Sequence, residues 1–169
     1  MTNIVLQINN TFKGVIMEYL KQTQQQYLNE IAEIHEQQLN EQYEHYQNTT
    51  ISVALRKEMI ENGLMANTDV VIIEIQQQQM IAFIWARYLK QYQKVFIEMM
   101  YVSEDYRNQG IAKVLKKEVE IWAHAKGALE IESTVVNHNN AMKDLNFKLG
   151  YHISTVTMNK RLIINNEDM

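Results

Sequence analysis

Cysteine and proline are both absent from these 169 residues, and glycine occurs only five times. Without cysteine, disulfides, thiolate metal ligands and a thiol nucleophile are excluded. With so little proline and glycine, turn signals are scarce and each glycine counts as a boundary marker. Gly63, Gly127 and Gly150 fall where helical patterns end, the place where a left-handed residue closes a helix. Long apolar runs are also missing. Val70-Val71-Ile72-Ile73 is far too short to span a bilayer, so no membrane partner is expected. Met1-Thr2-Asn3-Ile4-Val5-Leu6-Gln7 lacks the basic run and apolar segment of a secretion signal, and a cytoplasmic location is expected by elimination. Basic charge is in deficit, with 16 Lys and Arg against 20 Asp and Glu. Polyanion binders usually carry a basic surplus, so nucleic acid is not expected as a partner. The five histidines show neither His-x-x-x-His nor His-Glu-x-x-His spacing, and no metal site is expected.

What is present reads as an ordinary globular protein, 46% hydrophobic and 21% charged. The length suits one domain, expected over residues 1–164 with 165–169 as a frayed tail. Ile4-Val5-Leu6-Gln7-Ile8 reads as a first strand. Residues 11–46 read as helix, with Phe12, Val15, Ile16, Tyr19, Leu20, Tyr27, Ile31 and Ile34 at three- and four-residue spacings and glutamines on the solvated face. A second helix over 50–62 uses Ile51, Leu55 and Met59 and ends at Gly63. The period then changes: strands are expected over 69–75 and 80–88, joined across 76–79, and over 94–102. Residues 111–126 form a helix with Ile111, Leu115, Val119 and Trp122 as its apolar stripe. A strand over 128–136, a helix over 140–149 and a long or bulged strand over 151–164 complete the order β-α-α-β-β-β-α-β-α-β. That order implies an α/β/α layer sandwich around a mixed, mostly antiparallel sheet.

Arg107-Asn108-Gln109-Gly110-Ile111-Ala112 follows one of these strands and opens the best-patterned helix. The first turn of a helix has backbone N–H groups without intrahelical partners, and its dipole adds roughly half a positive charge. Phosphates bind well there. Gly110 lets a ligand approach the backbone without meeting a Cβ, and small Ala112 keeps the turn open. Basic residues gather nearby at Arg107, Lys113, Lys116 and Lys117, a patch equally open to reading as a solvated helix face.

The strand Val95-Phe96-Ile97-Glu98-Met99-Met100-Tyr101-Val102, the acidic turn after it and Arg-x-x-Gly-x-Ala together resemble the acetyl-CoA signature of the GNAT N-acetyltransferases. Asn139-Asn140-Ala141-Met142-Lys143-Asp144-Leu145-Asn146-Phe147-Lys148-Leu149-Gly150-Tyr151 resembles that family's second motif helix. The resemblance covers roughly residues 70–162 and implies acetyl-CoA as cofactor. It assigns the pantetheine arm to the backbone of Met100, Tyr101 and Val102. The pyrophosphate falls to the amides of Asn108, Gln109, Gly110, Ile111, Ala112 and Lys113, with Arg107 either assisting or stabilising the turn. Asn139 would contact CoA, cap its own helix, or do both.

The implied activity is transfer of an acetyl group to a primary amine, on a small molecule or a peptide, by direct transfer in a ternary complex. The resemblance leaves room for a homodimer. Glu98 is the candidate base, because a carboxylate inside an apolar strand is costly without a partner or water. In relatives with a similar strand, this glutamate takes the substrate proton, directly or through water, or binds a cationic acceptor. Glu74 and Glu104 are further acidic residues that would suit such a cation. Where many relatives carry a tyrosine that protonates the departing thiolate, this sequence has Asn146. A carboxamide can donate a hydrogen bond to that sulfur or orient CoA, but it is no practical proton source. That departure keeps a second reading open, a CoA-binding or interaction module with little catalysis.

Overall fold

The computed structural model describes residues 16–160, and the expected strand at 4–8 and tail at 165–169 lie outside them. The chain divides into two compact units, Met1–Thr134 and Val135–Met169.

The first unit is built on a five-stranded sheet in the order β1-β2-β3-β4-β5. Its strands are β1 (Ile16–Tyr19), β2 (Asp69–Gln76), β3 (Gln79–Leu89), β4 (Lys94–Val102) and β5 (Glu130–Ser133). All neighbours pair antiparallel except β4 and β5. That parallel pair is joined through α3 (Ile111–Lys126), as a parallel connection requires. Two helices, α1 (Gln25–Gln42) and α2 (Thr50–Met65), separate β1 from β2.

Period-2 alternation gives the sheet two apolar faces. Val70, Ile72, Ile84, Ala86 and Val95 pack with Ile111, Leu115, Val119 and Ala123 of α3. Val71, Ile73, Phe83, Trp85 and Met99 pack on the other face with Leu28 and Ile31 of α1 and Ile60 of α2. Leu115 and Val119 are fully buried, each worth about 1.5–3 kcal/mol of burial. Gly127 closes α3 in the left-handed conformation, φ 76°.

Several elements differ from the sequence expectations. Residues 16–19 are strand, not helix: Ile16 to Tyr19 register against Ile75 to Ile72, and pairing overrides a spacing compatible with either structure. On α2, Ile51, Leu55 and Met59 point outward, 73%, 59% and 41% exposed, while Ile60 is buried. Gly63 lies inside α2, not past its end. There it makes room for a neighbour, since a Cβ on Gly63 would sit 2.2 Å from Cγ of Asp69. β5 is shorter than expected, Glu130–Ser133, and pairs with residues 94–97 of β4 up to the point where β4 bulges.

The second unit contains α4 (Asn140–Lys148), with Gly150 at φ 86° just after it. Residues 151–160 form no strand, and Ile153, Val156 and Met158 are exposed. That unit has no other described strand for them to pair with. No helix among the described residues is long and apolar enough to cross a membrane.

Candidate active site

β4 carries the centre of the site. Its pairing with β5 stops at Ile97 opposite Ser133, so Glu98 to Val102 have a strand neighbour on the β3 side only, among the described residues. Ser103 donates its amide to the Ile81 carbonyl at 2.8 Å. Antiparallel alternation from that bond directs the backbone groups of Tyr101 toward Phe83, and those of Met100 and Val102 toward the open edge. The Tyr101 ring stacks on Phe83 with centroids 5.8 Å apart.

A register shift lies beside this edge. Trp85 of β3 faces Met99, while the next residue, Ala86, faces Ile97. Glu98 is the extra residue of that β-bulge, and bulges re-aim side chains. Its carboxylate turns to the α1/α2 face, where Oε1 lies 3.2 Å from a terminal nitrogen of Arg87. The Glu98 side chain is 30% exposed. Burial raises its carboxyl above the usual carboxylate range, Arg87 pulls it back, Asp69 adds to the rise and Arg56 opposes it.

Arg87 and Asp69 are functional candidates that the sequence did not single out. They pair across the β2/β3 hairpin, whose turn residues Gln77 and Gln78 are both left-handed. Asp69 Oδ2 accepts from Trp85 Nε1 at 2.7 Å and from Arg87 at 2.9 Å, and Oδ1 accepts from Arg87 Nε at 3.0 Å and from Thr68 at 3.0 Å. An acidic and a basic residue at the two ends of a hairpin, with a tryptophan two positions before the arginine, is the signal that could have found them. On the same side of the sheet, buried Glu36 of α1 accepts from Arg56 Nε at 2.8 Å and from the Tyr46 hydroxyl. Burial would raise Glu36, but those bonds and one from Ser52 hold it below the ordinary range.

The start of α3 follows the open edge. Arg107 donates through Nε to the Val102 carbonyl at 3.1 Å and pairs with Glu104 at 3.3 Å, so it ties the turn to the end of β4. Gln109 donates to the Asp105 carbonyl at 3.1 Å. Asn108 and Gly110 are left-handed, φ 62° and 85°. Gly110 is the N-cap, with no side-chain cap on the helix, and a Cβ there would meet nothing within 4 Å. The amides of Ile111, Ala112 and Lys113 therefore face an uncapped end with open approach. Such a cradle fits a pyrophosphate.

Other acidic and basic candidates do not converge. Glu74 shares the α3 face of β2 with Ile72, opposite to Glu98, and is 5% exposed. Glu104 is spent on Arg107. Lys116 is 2% exposed and so belongs to no solvated patch. Burial lowers its ammonium to about 8 against the charge of Glu120.

In the second unit, Asn139 caps α4, its Oδ1 accepting from the Met142 amide at 3.0 Å. Asn146 is 7% exposed, and its side-chain oxygen has no hydrogen-bond partner among the described residues.

Comparison with known proteins bears on this geometry. The sequence pattern described as Acetyltransferase (GNAT) family matches residues 28–151. A crystal structure from Staphylococcus aureus, assigned to the GNAT acetyltransferases as a putative member, is 37% identical over 70% of this chain and 98% of that one, with a TM-score of 0.67. The aminoglycoside N(6')-acetyltransferase type 1 of Acinetobacter genomosp. 13 is 39% identical over 57 residues, which span 34% of this chain and 39% of that enzyme's length. AAC(6')-Iy, solved with the bisubstrate analogue CoA-S-monomethyl-acetylneamine, shares the fold at 20% identity, over 89% of this chain and 99% of its own, with a TM-score of 0.67.

Proposed function

The chain belongs to the Acetyltransferase (GNAT) family, and from that premise we propose that it transfers the acetyl group of acetyl-CoA directly to a primary amine, both substrates being bound together. Acetyl-CoA supplies a thioester whose acyl carbon forms a bond to the amine nitrogen as its bond to sulfur breaks. The observation that carries the reading is the β4 bulge, which sets Glu98 beside an open strand edge that leads into an uncapped helix start.

The outward backbone groups of Met100 and Val102 suit the amide-rich pantetheine arm, as an added strand suits a sheet edge. The amides from Asn108 to Lys113 suit the pyrophosphate. Asn139 and Asn146 are proposed as further CoA contacts on the strength of their motif. Asn146 offers an amide donor only, so the thiolate takes its proton from water or another group. Glu98 takes the proton of the acceptor ammonium on a carboxylate oxygen, directly or through water. Holding two substrates in reactive geometry supplies much of the remaining barrier reduction.

Asp69, Arg87 and Glu98 together carry a formal charge of −1, which favours a cationic acceptor. The similarity to an aminoglycoside N(6')-acetyltransferase makes aminoglycosides the first acceptors to examine. Thiol release from acetyl-CoA across aminoglycosides, polyamines and peptide amines should show turnover on at least one. No turnover on any of them would favour a CoA-binding module. Glu98→Gln should slow turnover by about 10²-fold while leaving acetyl-CoA affinity unchanged.

A further inference from the structure

Arg87 is fixed from behind. The Asp69 side chain that holds it is fully excluded from solvent and engages two nitrogens of the guanidinium, Nε and one terminal nitrogen. A two-point grip of this kind sets the plane of an arginine in a way that no lysine could reproduce. Trp85 and Thr68 hold Asp69 from two other sides. Gly63 leaves the space that the carboxylate occupies. The guanidinium also lies 5.4 Å from the centroid of the Trp85 ring. Its other terminal nitrogen is the one that meets Glu98 at 3.2 Å.

We propose that Arg87 is the positioning residue of this site: anchored on buried Asp69, it fixes both the place and the charge of the Glu98 carboxylate at the bulge. The inference rests on the reading of Glu98 given above. Burial alone favours a neutral Glu98 carboxyl, which could neither attract a cationic amine nor accept its proton. The charged groups that act on Glu98 are Arg87 of β3, Asp69 of β2 and Arg56 of α2. Arg56 is committed to Glu36, and His35 of α1, set against Trp85, is held neutral above about pH 4. Arg87 is therefore the nearest group opposing the burial. Because Asp69 shares its charge, the trio keeps a net negative charge for the acceptor.

The test is the titration of Glu98 in protein labelled with carboxyl-¹³C glutamate, its signal assigned by its loss in Glu98→Gln. Removing an opposite charge at this range should raise the Glu98 midpoint by roughly 1–3 pH units in Arg87→Gln. Arg87→Lys should restore part of the shift. The acid limb of kcat/KM should move upward with it, while KM for acetyl-CoA stays constant. A Glu98 midpoint that is the same in Arg87→Gln as in the wild type would overturn the proposal. Should that variant fail to fold, an unchanged midpoint in Arg87→Lys does the same, since a point charge without the two-point grip should hold Glu98 less well. The titration needs no turnover, so an inactive protein would sink the functional reading while the midpoint still decided the role of Arg87.

Discussion

His35 shows how one buried side chain ties this site to the stability of the fold. It lies edge-on to Trp85, with ring centroids 5.8 Å apart, and is 9% exposed. Burial, aided by the charge of Arg56 and opposed by Glu36, pushes its imidazole down to about 4. In the unfolded chain the value returns to about 6.5. The contribution is complete above pH 6.5 and is lost as pH falls toward 4, because the unfolded chain then binds the extra proton. Urea denaturation of the wild type should lose on the order of 2–3 kcal/mol from this source between pH 7 and 4.5. His35→Gln should lose less over the same range, and an identical pH dependence would refute the assignment. At this scale the sequence made Glu98 visible, as a carboxylate in an apolar strand. Asp69 and Arg87 were not visible in the same way, because they lie 18 positions apart in the sequence and meet only through the hairpin register.

Among the elements, the bounds of β4 and α3 were legible to the residue, since a nine-residue, mostly apolar strand and a sixteen-residue amphipathic helix each stand out from the turns that flank them, while the bulge at Glu98 shows only in the register with β3. α2 was legible as a helix but not in its orientation. Its apolar residues occupy both faces, so spacing alone could not choose between Ile51-Leu55-Met59 and the face of Ile60. The capping box, in which Thr49 and Ser52 each accept from the other's amide, fixes where α2 begins but not how it is rotated. Packing of Ile60 with Leu28 and Ile31 on the sheet decides the rotation. Two substitutions test it. Leu55→Lys, on the exposed face, should change unfolding free energy by less than about 0.5 kcal/mol. Ile60→Ala should cost about 2–5 kcal/mol. A reversed ranking in urea titrations would mean that α2 is turned the other way. β1 was hidden for a related reason: a four-residue strand has too few repeats to declare its period, and its pairing with β2 is a property of the sheet.

For the whole molecule, the order of layers followed from the change of period near residue 69 and from the two motifs, and the family match takes in that stretch together with α2 and most of α1, residues 28–151. What no single element contains is the relation among them. β4 leaves β5 after Ile97, the bulge places Glu98 there, and Arg107 ties the start of α3 to the carbonyl of Val102. The role proposed for this open edge and uncapped helix start is to hold acetyl-CoA. Isothermal titration of the protein with acetyl-CoA tests that role: a saturable one-site curve is predicted, and the absence of saturable heat at high micromolar acetyl-CoA would contradict it.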